Sequence, residues 1–440
     1  MSEPAFHEFP EDGLSYEEIT SQVDELRSQM TPEESGKFAS TAFWGIKEAN
    51  RVVKETHAKF FSWNALFTFQ EAAAAKMENE VIDICVGLAG GGEKGRGNLT
   101  SGGTESNFCA LHAMRAWARE HKPEITNPEL VAPYSIHSTV HKMARVLDIK
   151  VVTVPQLDDL TADVRGIEAA IGPNTIGIAC SAPNWPYSLV DPVEDLGKIA
   201  VTKDLWLHVD ACVGGFLLPF FRELGEDIPN YDLRTPGVRS LSIDLHKYAF
   251  APKPCSSIMW RSQAEQKFHF MPVTDWPCGL YLSQSFIGSR PLAPIASIWA
   301  LMHHLGKRGY REHTRRIISQ RDKIIDCVAA IDGLTTWKTH GPLLQIAPDG
   351  IDVQLIVGAM EQKGWKLLGV NEPPAIHLTI DIMQDDALER FLMDLKESAR
   401  AARSGELDQE GLLSYGGVGD HGSAPKWLLS AVEIFEQDEN

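Results

Sequence analysis

The chain is short of paired cysteines, of positive charge and of long apolar runs, and each shortage excludes a class of protein. Its 440 residues include seven cysteines, at 85, 109, 180, 212, 255, 278 and 327, an odd number with no CxxC spacing. Zinc ribbons and disulfide frameworks are therefore disfavoured, and a reducing interior is expected. Lysine and arginine number 41 against 60 aspartates and glutamates, a net charge of −19. A surface of that sign repels nucleic acid and anionic membranes. The greasiest run, LWLHVDACVGGFLLPFF, is interrupted by His208, Asp210 and Pro219, and it falls short of the roughly 20 residues of a membrane span. The first residues, MSEPAFHEFPEDGLSYEE, are acidic and have no apolar centre, so no secretory signal is expected. The glycines of NLTSGGTESN are followed by no GK[ST] and do not have GxGxxG spacing, and there is no internal repeat. The expectation is a cytoplasmic protein with no membrane anchor and no nucleic-acid partner.

What is present reads as ordinary globular sequence, 43% hydrophobic and 23% charged. The length suits two or three domains at roughly 150 residues each. Residues 1–55 form an acidic arm in which Ile19, Val23, Leu26 and Met30 share one helical stripe, a pattern that docks on a neighbour or partner subunit. From 56 to about 310, short β-branched runs (YSIHS, KVVTV, IGIACSAP, LWLHVDA, SLSID, SSIMW) alternate with helical stretches such as TESNFCALHAMRAWARE and VEDLGKIAV. Alternation of this kind predicts an α/β domain, a mainly parallel sheet with helices on both faces. After the long helix expected around PLAPIASIWALMHHLGKRGY, residues 311–440 read as a smaller α+β C-terminal domain, with a tail from 403 rich in Gly and Ser.

In an open parallel sheet, ligands collect outside the carboxyl ends of the strands, and three polar groups fall at such ends. In NLTSGGTESN, Gly102, Gly103, Thr104, Glu105 and Ser106 open a helix. Its first amides are unpaired and bear partial positive charge, which suits a phosphate; a simply capped helix is the plainer alternative. Asp210 ends the apolar run LWLHVD, where a carboxylate needs a cationic or hydrogen-donating partner. Taken alone, a turn cap or an arginine partner is the favoured reading. His137 ends YSIHS, placed to stack or hydrogen-bond, while His141 four residues on has no HExxH context and is taken as incidental. In SLSIDLHKYAFAPKPCSS, Lys247 stands beside His246 where a buried strand gives way to a turn, with Lys253 six residues further on. A lysine amine in a partly desolvated pocket is expected to have a lowered pKa and to attack carbonyls. Phosphate cradle, strand-end aspartate and strand-end lysine form the set that pyridoxal 5'-phosphate requires.

These residues resemble the group II decarboxylase superfamily of fold-type I pyridoxal-phosphate enzymes, and within it the sphingosine-1-phosphate lyase family. The stretches TSGGTESN, SAPNWPYSLVDPVEDL, HVDACVGGF, SIDLHKYAFAPK and WPCGLYLSQSFIGSRP match that family's motifs in its order, over roughly 55–310. The resemblance implies an aspartate aminotransferase-like fold and a homodimer with active sites at its interface. It implies that Lys247 holds the cofactor as a Schiff base, Asp210 pairs with the ring nitrogen and His137 stacks on the ring. Gly103, Thr104, Glu105, Ser181 and His246 would complete the cofactor site, with Ser289 supplied by the partner subunit. Lys253, Asn64 and Tyr281 would meet the substrate, and no metal is implied. Two departures stand out. The family's upstream NPLH histidine is replaced by Phe67 in FSWNALFTF, and PYSL (186–189) stands where His-Gly is common. Both weigh against a phosphorylated long-chain substrate and leave the pyridoxal chemistry untouched.

The implied reaction is carbon–carbon cleavage of a β-hydroxy amine or amino acid, a retro-aldol step releasing an aldehyde. Amino-acid decarboxylation on the same scaffold is the alternative; SAP, DPV and GSRP favour the lyase. An inactive scaffold would not need the lysine, aspartate and glycine cradle together, and a nucleotide-dependent oxidoreductase would need a dinucleotide glycine pattern at that helix start, which TSGGTESN lacks.

Overall fold

The computed structural model describes residues 9–30 and 47–407; the remainder of the arm and the tail from 408 lie outside the described residues. Seven strands form the main sheet: β1 (Arg96–Thr100), β2 (Glu129–Pro133), β3 (Lys150–Val154), β4 (Thr175–Ser181), β5 (Trp206–Asp210), β6 (Val238–Ile243) and β7 (Ser256–Trp260), in spatial order β1-β7-β6-β5-β4-β2-β3. Strands β2 to β6 pair in parallel, and β7 runs antiparallel to both β1 and β6. Every residue of β4, β5 and β7 is buried. Covering helices on both faces leave no solvated side, which is why these strands are not simple apolar–polar alternations.

The helices are α1 (Tyr16–Ser28), α2 (Lys47–Phe60), α3 (Ala72–Leu88), α4 (Gly103–His121), α5 (Ser138–Val146), α6 (Val164–Ala170), α7 (Val193–Thr202), α8 (Leu218–Glu223), α9 (Gln263–Gln266), α10 (Leu292–Ala329), α11 (Val353–Gln362) and α12 (Asp385–Ser404). A capping box between Ser15 and Glu18 starts α1, whose stripe of Ile19, Val23 and Leu26 is exposed. The 38-residue α10 runs through residue 310, where the sequence suggested a domain boundary. It is broken once, at Gly306, whose φ of 55° and ψ of −178° lie outside the helical region. Its first half packs on α2 and α3, and later turns meet β8 and α12.

A second, antiparallel sheet has the order β10-β11-β9-β8, from β8 (Leu334–Thr336), β9 (Leu343–Pro348), β10 (Leu368–Asn371) and β11 (Pro374–Thr379). Strand β10 was not anticipated. Its LGVN is short, half-buried and without β-branched alternation. The two sheets meet through the loop after β4, where Trp185 stacks on His377 of β11 at 4.4 Å.

Candidate active site

The carboxyl ends of β4, β5 and β6 and the first turn of α4 enclose a cleft of about 260 Å³. Its walls include Gly102, Gly103, Thr104, His137, Ser181, Asp210, His246 and Lys247, so the stretches singled out above converge on one place. Each arrives by the same route. An apolar strand buries itself under helices and its carboxyl end opens on the crevice: Ser181 and Asp210 are the last residues of β4 and β5, and His137, His246 and Lys247 follow β2 and β6 by three or four residues.

Helix α4 begins at Gly102–Gly103 without any side-chain cap, leaving its first amides free for an anion. Gly103 is required by close packing. A Cβ there would lie 2.8 Å from Cys212 Sγ and 2.9 Å from Asp244 Oδ2. At the floor, Asp210 Oδ1 accepts the Cys212 backbone N–H at 3.0 Å and the Ser242 hydroxyl at 3.2 Å, and Oδ2 accepts the Asn107 amide at 2.9 Å. Burial alone would push Asp210 up, but the His137 and His208 imidazoles and these donors outweigh it, holding the carboxyl down to about 2. A permanently ionised carboxylate therefore faces the cleft.

Lys247 lies opposite, its Nζ 2.9 Å from Asp244 Oδ2. Here the structure corrects the expectation of a lowered pKa. Burial does push the amine down, but Asp244, Cys212 and Asp210 outweigh it and raise Lys247 above the ordinary lysine range. Lys253, by contrast, is lowered, by burial and then by the charge of Lys247. His137 caps α5 by accepting the Thr139 N–H on Nδ1 at 3.2 Å, and burial lowers its pKa. His246 is lowered by burial too, and its Nε2 is 3.7 Å from Asp244.

Several expected residues lie apart from this cleft. Glu105 turns away from it, its carboxylate accepting the backbone N–H groups of Ser101, Phe286 and Ile287. Asn64 donates to Ser289 Oγ at 3.0 Å, and Tyr281 meets Phe67 and Trp276; none of these lines the cleft of its own chain. Conversely, Asn107, Thr139, Trp185, Cys212 and Asp244 line it and were not singled out from sequence. Two carried a usable signal. Asp244 lies three residues before Lys247 in SIDLHK, and Asn107 lies one helical turn after Thr104.

The donor set fits pyridoxal phosphate. Uncapped helix amides suit its phosphate, an ionised buried carboxylate its protonated ring nitrogen, and a lysine its aldehyde. Comparison with known proteins points the same way. Residues 59–331 match the pyridoxal-dependent decarboxylase conserved domain. The chain is 35% identical over 428 residues to a sphingosine-1-phosphate lyase of Oryza sativa, covering 95% of this chain and 78% of that one. It superposes on a solved sphingosine-1-phosphate lyase of Burkholderia pseudomallei with a TM-score of 0.87 and 32% identity, over 92% and 95% of the two chains. An L-aspartate decarboxylase of Thermococcus kodakarensis is 33% identical over 89% of this chain and 99% of its own length.

Proposed function

The chain belongs to the pyridoxal-dependent decarboxylase family, and from that premise we propose that it cleaves the Cα–Cβ bond of a β-hydroxy amine or β-hydroxy amino acid. It is a pyridoxal-phosphate-dependent lyase of fold type I. The observation that carries the substrate reading is the convergence of Lys247, Asp210 and the open end of α4 on one cleft, in a chain alike to lyases along nearly its whole length.

When bound, pyridoxal phosphate supplies an electron-poor ring that accepts the electron pair of the bond broken at Cα. Lys247 would tether it, and the first amides of α4 with Gly103 and Thr104 would hold its phosphate, aided by His246. Asp210 would keep the ring nitrogen protonated, and His137 and Ser181, which line the cleft, would hold the ring. The Lys247 amine, beside Asp244, would be placed to move a proton at Cα. Lys253, whose pKa is lowered, is the nearby base suited to the substrate hydroxyl.

The enzyme acts as a homodimer. Phe61, Trp63, Phe69, Trp276, Leu280 and Phe286 are exposed, and the ring contacts Phe67–Phe69, Phe67–Tyr281 and Trp276–Tyr281 connect Phe69 with Trp276. A second copy covering these side chains brings Asn64, Tyr281 and Ser289 to the other chain's site. Monomer mass in sedimentation of the holoenzyme would refute it. Its compartment is the cytoplasm. All seven cysteines are free thiols, six of them buried, which suits a reducing environment. No helix among the described residues is long and apolar enough to cross a membrane.

Decarboxylation is the second reading, favoured by the likeness to the aspartate decarboxylase along that protein's full length. Incubation with a panel of β-hydroxy amines, phosphorylated and not, and of amino acids decides between them. Trapped aldehyde supports the lyase reading, whereas carbon dioxide without aldehyde overturns it.

A further inference from the structure

Beneath α4 the main sheet has a polar face where an apolar one is normal. Trp206, His208 and Asp210 alternate along one side of β5, and Ser240 and Ser242 of β6 stand in register with the last two. All five are buried, as is Asn107 above them. Buried polar groups are tolerated only when fully bonded, so the directions of these bonds can be worked out from one end.

A carboxylate only accepts, so the Asn107 amide nitrogen donates to Asp210 Oδ2 at 2.9 Å, and also to Thr139 Oγ at 3.0 Å. Both amide hydrogens are then used, and the Asn107 carbonyl oxygen faces His208 Nε2 at 3.0 Å. His208 Nε2 must therefore carry a proton. Burial keeps the ring neutral, pushing its pKa down to about 4, so Nδ1 is bare and accepts the Ser240 hydroxyl at 3.0 Å. Ser240, its only proton spent, accepts the Trp206 indole N–H at 2.9 Å. From Trp206 to Asp210 every bond donates in the same direction, so the dipoles add and stabilise negative charge on the carboxylate.

We propose that His208 is a positioning residue for the lyase reaction, acting through the Asn107 amide to orient Asp210 and hold its charge toward the cofactor's ring nitrogen. The inference rests on the reading of Asp210 as that nitrogen's partner. His208 lines no part of the cleft and touches no reacting atom. It acts by fixing which way Asn107 faces. With His208 lost, the amide is free to turn its oxygen toward Asp210, replacing a charge-assisted bond by a repulsion.

The test uses full-length His208→Leu and His208→Gln. Leucine removes both ring nitrogens, whereas the glutamine amide restores a donor near the Nε2 position. Loss of one charge-assisted bond to a buried carboxylate predicts about a tenfold rise in the dissociation constant for pyridoxal phosphate in His208→Leu. His208→Gln is expected to recover most of it, a rescue that mere filling of the core would not give. Selective nitrogen-15 histidine labelling of the parent, with the His208 signal assigned by its absence in His208→Gln, is expected to show a neutral ring protonated on Nε2. A ring protonated on Nδ1 or on both nitrogens overturns the proposal whether or not His208→Leu folds. Parent affinity in a folded His208→Leu overturns it as well. Asp210→Asn is the control that separates the two ideas. Unchanged affinity and turnover there defeats the Asp210 reading itself, whereas a weakened Asp210→Asn beside an unchanged His208→Leu defeats only the relay.

Discussion

Asp244 was passed over in the sequence, yet it governs the amine on which the chemistry depends, and Asp244→Asn exposes that control. The carboxylate lies 2.9 Å from Lys247 Nζ and is itself almost wholly buried. Removing one partner of a buried ion pair costs about 3–5 kcal/mol. Because the Lys247 side chain is 21% exposed, water recovers part of that, leaving about 2–3 kcal/mol. At 1.36 kcal/mol per unit, the amine's pKa should fall by about 2 units. In the parent, Lys247 is raised above the lysine range, so its contribution to stability is complete below that range and is lost as pH rises through the folded value. The variant should therefore melt lower than the parent at neutral pH, with the gap closing in strong alkali. The direct assay mixes cofactor-free protein with pyridoxal phosphate at a series of pH values, quenches each with borohydride, and weighs the covalent adduct. The midpoint for capture should move to lower pH in Asp244→Asn. Superimposable profiles for parent and variant would show that Asp244 does not set the charge of Lys247.

Lys247→Ala should abolish borohydride-stable capture altogether; an adduct of undiminished yield, mapped by mass spectrometry, would identify Lys253 or another lysine as the tether. Gly103→Ala places a methyl group 2.8 Å from Cys212 Sγ and 2.9 Å from Asp244 Oδ2. Overpacking of about 1–3 kcal/mol should weaken cofactor binding about tenfold or more, and parent-like affinity in a titration would remove Gly103 from the cradle. Asp191 is pushed up to about 7 by burial, against the pull of the Ser181 N–H and the Asn184 amide. Its folded form binds a proton that the unfolded chain has lost, so it contributes declining stability between about pH 4 and pH 7. Asp191→Asn should flatten that part of the melting-temperature profile, and a difference curve independent of pH would refute the shift.

Much of the site was readable because it is built from strand ends. LWLHVDA and SLSIDLHK each announce an apolar strand followed at once by a polar group, and a parallel sheet gathers such groups on one edge. What escaped notice was the pairing between side chains. Asp244 and Lys247 are three apart in a turn, a spacing that hints at contact without fixing it, and the sign of the lysine's shift depends on that contact. The polar ladder of His208, Ser240 and Ser242 was hidden because a histidine or serine inside an apolar run looks like noise until its partners on β6 and α4 are known. Glu105 lies within a predicted motif but is turned elsewhere, and Ser289, expected to serve the partner's site, bonds Asn64 in its own chain. The boundary set at 310 fell within α10 because no residue near it interrupts helical spacing; the one true break, Gly306, lies four residues earlier.

The order of strands also bears on how late in synthesis the framework around the cleft is completed. Strand β1, which delivers the glycine turn, touches the rest of the sheet only through β7, whose residues follow it by some 160 positions in the chain. A nascent polypeptide released before residue 256 would possess the aspartate and the lysine, with α4 able to pack on β4, β5 and β6, but the strand leading into the glycine turn would lack its one partner in the sheet. The glycine turn is thus held from both sides only once the most distant pairing in the sheet has closed.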